Sequence, residues 1–134
     1  MIGILVVSHG KLAEEVIRTT ECIIGALTGI DFFNIEYSFS PDEIEKKFMA
    51  KIDALDTGDG VLVFTDFYGG SGTNIAMTLL ESRKVEVITG VNVPMIIKAS
   101  SYREGKELKE VAEFIEEYAK KNIKRVSKLL EVKK

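Results

Sequence analysis

Val61-Leu62-Val63-Phe64-Thr65 runs without a break into Asp66-Phe67-Tyr68-Gly69-Gly70-Ser71-Gly72. Five consecutive apolar or β-branched residues suit a strand covered on both faces. The polar, glycine-rich stretch stops it. Apolar residues then return at helical spacing, at Ile75, Ala76, Leu79 and Leu80, which predicts a helix from about Thr73. Strand, loop and helix in this order form the repeating unit of a parallel sheet, because a parallel neighbour is reached only through a crossover.

The same alternation extends in both directions. Upstream, Ile2 to Val7 is a short apolar strand. From Lys11 to Ala26 the period changes, and Leu12, Val16, Ile23 and Leu27, with Ala13, Ile17 and Ile24 beside them, form a helical stripe ending near Gly25 and Gly29. Asp31 to Tyr37 alternates as a second strand, with Phe33, Ile35 and Tyr37 on one face. Ser40-Pro41-Asp42-Glu43 is a helix start: Ser40 caps, Pro41 fits the first position and Glu43 completes a capping box. Ile44, Phe48, Met49, Ile52 and Leu55 continue that helix to the turn at Asp56-Thr57-Gly58-Asp59-Gly60.

Downstream, Val85 to Ile88 is a fourth strand, and a short helix begins at Pro94. A long helix follows from about Lys106, burying Leu108, Val111, Ala112, Ile115 and either Tyr118 or Ala119. Its end has two readings. Ile123, Val126, Leu129 and Leu130 prolong the helix, or Asn122 caps it and the tail extends. The expected fold is α/β, an open three-layer sandwich around a mostly parallel four-stranded sheet in the order 2-1-3-4. Ligands of such sheets sit at the carboxyl ends of the strands, where the strand order reverses.

With 134 residues, of which 46% are hydrophobic, the chain is the size of one domain. Its net charge of -3 supplies no basic excess to neutralise phosphates, which argues against nucleic acid as a partner. Cys22 is the single cysteine and reads as an inert core thiol, so no internal disulfide is possible. One cysteine and one histidine exclude a Cys/His zinc cluster, and no metal is expected. Neither a membrane span nor a signal peptide is present in the sequence, which sets the expectation of a cytoplasmic protein. The lysine-rich stretch from Lys120 to Lys134 reads as a solvated face.

His9 and Asp66 each follow an apolar strand. If the first and third strands are neighbours, the two meet at one edge of the sheet. A neutral imidazole is a competent nucleophile toward a phosphoryl group. A carboxylate on its other nitrogen fixes the tautomer and steadies the developing positive charge. Gly10, Gly69 and Gly70 permit close backbone approach, and helix starts after Gly10 and Ser71 offer amides to phosphate oxygens, each favouring the anion by about 0.3–2 kcal/mol. Each residue also has a plainer reading. His9 fits a satisfied loop residue, Asp66 a turn former, Gly69-Gly70 turn chemistry and Ser71 a helix N-cap. Phe67 and Tyr68 fit either the core or an exposed contact patch. The loop lacks the lysine of a P-loop, and the chemistry requires no cofactor.

Three motifs in order carry a resemblance: Ser8-His9-Gly10 with Ala13-Glu14, then Thr65-Asp66-Phe67-Tyr68-Gly69-Gly70-Ser71 with Asn74, then Ile88-Thr89-Gly90-Val91-Asn92-Val93-Pro94-Met95. Over nearly its whole length the sequence resembles the mannose-type IIA domain of the bacterial phosphoenolpyruvate-dependent sugar phosphotransferase system. The resemblance implies phosphorylation of His9 at Nε2, with Asp66 as its hydrogen-bonding partner and the loop around Ser71 on the phosphoryl oxygens. It implies the phosphorylated histidine carrier protein HPr as donor and a IIB component as acceptor during sugar uptake, with Phe67 and Tyr68 at the partner contact. Since no fused IIB follows in this sequence, the expected acceptor is a separate chain associated with the membrane transporter, without insertion of this one. The family is dimeric through an exchanged carboxyl-terminal antiparallel strand, which maps to Ile123–Val126 entered through Asn122; helical spacing there disputes it. The sequence departs from the family at Gly72, where proline is common, and at Tyr68, where tryptophan is common. Competing readings are the related subunit serving dihydroxyacetone kinase and a flavodoxin-like regulatory module without a covalent step.

Overall fold

A computed structural model describes residues 1–132. The elements run β1 (Gly3–His9), α1 (Leu12–Ile24), β2 (Ile30–Ile35), α2 (Pro41–Leu55), β3 (Val61–Thr65), α3 (Ser71–Leu79), β4 (Val85–Ile88), α4 (Val93–Tyr102), α5 (Leu108–Lys121) and α6 (Val126–Val132). The strands pair in parallel in the order β2-β1-β3-β4, as expected.

Strand alternation divides the interior into two layers. Ile4 and Val6 of β1, with Leu62 and Phe64 of β3, face α1, α4 and α5. Leu5 and Val7, with Val61 and Val63, face α2 and α3. Both faces of the sheet are thus covered, which is why β1 and β3 read as continuous apolar runs. The start of α2 has the expected capping box: Ser40 Oγ accepts from Glu43 N–H, and the Glu43 carboxylate accepts from Ser40 N–H.

Three expectations are corrected. On α1 the sheet-facing positions are Ala13, Val16, Ile17 and Thr20, spaced i, i+3, i+4 and i+7. Thr20 is tolerated there because its hydroxyl donates to Val16 O at 2.8 Å. Leu12, Ile23 and Ile24 consequently face outward. Cys22 turns outward with them and is an exposed thiol rather than a core one. Tyr37 lies beyond β2 and is fully exposed.

At the carboxyl end, Asn122 closes α5 and a separate short helix, α6, follows. Among the described residues there is neither one continuous helix nor a fifth strand. A strand needs an edge to pair with, and within one chain the apolar Ile123, Val126, Leu129 and Leu130 remain exposed.

The residue that sequence reading passed over is Arg103, at the end of α4 and 3% exposed. Its guanidinium donates to Ile2 O at 2.9 Å, Gly29 O at 3.1 Å and Thr28 O, and its Nε donates to Ser100 O at 3.1 Å. One cation thus binds the amino ends of β1 and β2 to the turn between α4 and α5. Arg103→Met keeps the apolar stem and strands these carbonyls. It is expected to lower stability by about 3 kcal/mol, measured by urea unfolding.

Candidate functional site

β1 and β3 are neighbours, with Val7 opposite Thr65. The residues that continue both strands therefore emerge together at the carboxyl edge, next to the point where the chain switches from one side of β1 to the other. Alternation along β1 sends Ser8 toward α1 and His9 toward the layer of α2 and α3. Ser8 is buried, and its Oγ accepts the Ala13 N–H at 2.7 Å, which anchors the first turn of α1. Gly10 makes the turn between them with φ of 61°, a left-handed conformation that favours glycine.

His9 occupies the last position of β1 and meets Asp66 twice. Its backbone N–H donates to Asp66 Oδ2 at 2.9 Å, and its ring Nδ1 lies 2.8 Å from the same oxygen. Asp66 Oδ1 accepts the Phe67 N–H at 2.9 Å. Burial pushes the Asp66 carboxyl up, but the hydrogen bonds from the His9 amide, the His9 ring and the Phe67 amide outweigh it and hold the pKa below the ordinary value.

An ionised carboxylate only accepts, so Nδ1 carries the proton in this pair. In the neutral imidazole the lone pair then resides on Nε2. The His9 side chain is 43% exposed and that of Asp66 only 12%. The imidazole is thus partly open to the exterior, while the carboxylate that orients it is largely covered.

The loop after Asp66 closes over the ring. Phe67 stacks on His9 with centroids 5.4 Å apart and planes at 28°. Gly70 fits beneath both. A Cβ there would stand 2.9 Å from Phe67 Cζ and 3.0 Å from His9 Cε1, so a side chain would require the ring pair to shift. Gly70 is the N-cap of α3, with no side chain capping the helix, and Asn74 N–H is the first to bond back, to Gly70 O at 3.0 Å. The amides ahead of Asn74 are thus available at a helix start that touches the imidazole. Gly72 sits tightly on the sheet, its missing Cβ 3.0 Å from Val7 Cγ1.

Of the sequence-derived candidates, His9, Asp66, Phe67 and Gly70 come together. Phe67 and Tyr68 are exposed and are not core residues. Ser71 is the first residue of α3, two positions before the expected start, and Gly70 takes the N-cap position. Gly69 supplies a turn with φ of 90°. The Gly10 N–H is donated to Ile35 O at 3.1 Å. Two hydroxyls at the site escaped the sequence reading. Thr73 Oγ1 donates to Phe67 O at 2.8 Å, and Thr65 Oγ1 lies 3.0 Å from Thr73 Oγ1. A β-branched hydroxyl residue at each end of a glycine-rich loop was the available signal.

Among the described residues, no three His, Cys, Asp or Glu side chains are placed to hold a metal ion, and no helix is long and apolar enough to cross a membrane.

Comparison with known proteins identifies relatives of the chain and of its fold. The chain is similar to the PTS system mannose-specific EIIAB component of Escherichia coli strain K12, with 31% identity over 104 residues, 77% of this chain but 32% of that protein. It thus spans about a third of that relative's length. Among solved structures, the PTS IIA protein associated with the fucose utilization operon of Streptococcus pneumoniae aligns with a TM-score of 0.81 and 31% identity, covering 96% of this chain and 95% of that one. The phosphotransferase system component EIIA of Streptococcus agalactiae shares the fold, with a TM-score of 0.85 at 21% identity over 96% of this chain and 99% of that one. A family model described as the PTS system fructose IIA component matches residues 3–116, from the first residue of β1 through all four strands and into α5. By that match the chain belongs to the IIA component family of the phosphotransferase system.

Proposed function

We propose that this protein carries a phosphoryl group on His9 Nε2, taking it from phosphorylated HPr and passing it to a IIB component during sugar uptake. The observation that carries the reading is the 2.8 Å contact between His9 Nδ1 and Asp66, in a partly exposed imidazole beside an uncapped helix start. In the first step the N–P bond of the donor phosphohistidine breaks, its electron pair returns to the donor imidazole, and Nε2 of His9 forms the new N–P bond. Nδ1 keeps its proton, and Asp66 balances the positive charge that develops on the ring. The amides at the start of α3 meet the phosphoryl oxygens, so transfer depends on position and charge stabilisation. Exposed Phe67 and Tyr68 give donor and acceptor an apolar landing surface.

Radiolabelled phospho-HPr is expected to label the chain, and a cognate IIB is expected to remove the label. No uptake would overturn the reading. Uptake followed by discharge only to a dihydroxyacetone kinase subunit would overturn the sugar assignment and keep the carrier chemistry.

The carrier is further proposed to be a homodimer in which residues 123–126 of one copy pair antiparallel with β4 of the other. Among the described residues β4 has a single neighbour, β3, and a groove of about 680 Å³ borders it, lined by Met77, Leu80, Val87, Ile88 and Ile123 among others. The exchange requires Val126 to leave the first turn of α6. Light scattering is expected to give twice the monomer mass for the parent and the monomer mass for Ile123→Asp/Val126→Asp. A monomeric parent, or a variant that stays dimeric, would exclude this arrangement.

A further inference from the structure

Phe67 is held at three points. Its N–H donates to Asp66 Oδ1 at 2.9 Å, its ring lies on His9, and its carbonyl accepts the Thr73 hydroxyl at 2.8 Å. Thr73 is buried in the first turn of α3, and Thr65 is buried at the end of β3. Their hydroxyl oxygens are 3.0 Å apart. Thr73 has one hydroxyl proton, and a carbonyl can only accept it. The proton on Thr73 is therefore committed to Phe67 O, and Thr65 must donate to Thr73. The result is a directed chain, Thr65 O–H to Thr73 O–H to Phe67 O, that crosses the base of the loop from strand to helix.

The loop has little else to hold it. Gly69 and Gly70 carry no side chains, Gly72 leaves the first helical turn without the φ restraint of a proline, and no side chain caps α3. We infer that Thr73, oriented by Thr65, is a positioning residue that sets Phe67, and through it the plane of the His9 ring stacked on it and the orientation of the Asp66 carboxylate that fixes the His9 tautomer. This rests on His9 being the phosphoryl acceptor. Fixing a peptide on either side of a reacting ring matters because a displacement of about 1 Å can cost about 10²-fold in rate.

The test compares Thr73→Val, which keeps the shape and removes the donor, with Thr73→Ser, which keeps the donor. In rapid-quench phosphorylation from phospho-HPr, Thr73→Val is expected to lower the maximal rate about tenfold with the donor KM unchanged, and Thr73→Ser to remain within about twofold of the parent. In ¹⁵N–¹H spectra of the imidazole, the parent is expected to show one tautomer with the proton on Nδ1, and Thr73→Val a mixture. A general loss of stability would lower the melting temperature without mixing tautomers far below it. A parent-like rate and spectrum for Thr73→Val would overturn the inference while leaving His9 as the acceptor. If the parent itself takes no label, the carrier reading has failed instead. Should Thr73→Val not fold, Thr65→Val decides, since it removes only the orienting donor: about threefold slowing with partial tautomer mixing supports the chain, and parent behaviour overturns it.

Discussion

Phosphoryl uptake by His9→Ala is expected to fall by at least about 10³-fold, to the background of the assay. The sequence has no second histidine, so no neighbouring imidazole can take over. Asp66 cannot substitute, because its oxygens face His9 and the Phe67 amide and its side chain is mostly covered. Folding should survive. The exposed ring lies outside both apolar layers, and the backbone N–H that donates to Asp66 is present in alanine too. The urea midpoint of the variant should stay close to that of the parent, within about 1 kcal/mol. Label persisting on this variant would show that another residue receives the group. Loss of label together with loss of fold would be settled by His9→Gln, which restores a polar side chain of similar reach without a nucleophilic nitrogen.

Asp66→Asn is expected to slow uptake about 10²-fold while leaving the label on His9. An amide removes the negative charge and no longer dictates which ring nitrogen is protonated, so part of the population presents Nε2 with its proton on and its lone pair unavailable. Equal rates in parent and variant would remove the orienting role from Asp66. The same pair has an acid signature. The folded-state pKa of Asp66 lies below its unfolded value, so the carboxylate contributes stability above the unfolded value of about 4. That contribution is lost as pH falls through the lower folded value. The stability advantage of the parent over Asp66→Asn should therefore shrink through this window. Urea unfolding of both proteins between pH 6 and about pH 3 measures it.

What could be read from the sequence followed the range of the interactions. β3 and β4 have the expected limits, and α2 begins at its capping box, because apolar runs and caps are local signals. His9 and Asp66 were found together because a polar residue ending an apolar strand marks the open edge of a parallel sheet. The remaining features depend on partners distant in the chain. Arg103 reaches Ile2 across 101 positions, and nothing near it in sequence advertises the missing acceptors. The Gly10 amide is taken by Ile35, a contact that requires the register of β1 against β2. On α1 the apolar residues outnumber the positions that reach the sheet, so periodicity alone could not say that Leu12, Cys22 and Ile23 would be left outside. At Ile123–Val126 the apolar content fits either a helix or a strand, and the choice depends on what stands beside it.

The outward turn of Cys22 makes the protein easy to watch. α1 leaves the His9 edge of the sheet at Leu12 and runs toward the opposite end, placing Cys22 about 15 Å along its axis. A maleimide dye would thus attach at one defined point without any engineered residue. It would sit near enough for energy transfer to a labelled visitor and far enough to leave the encounter unobstructed, so arrival and departure could be timed separately from the chemistry.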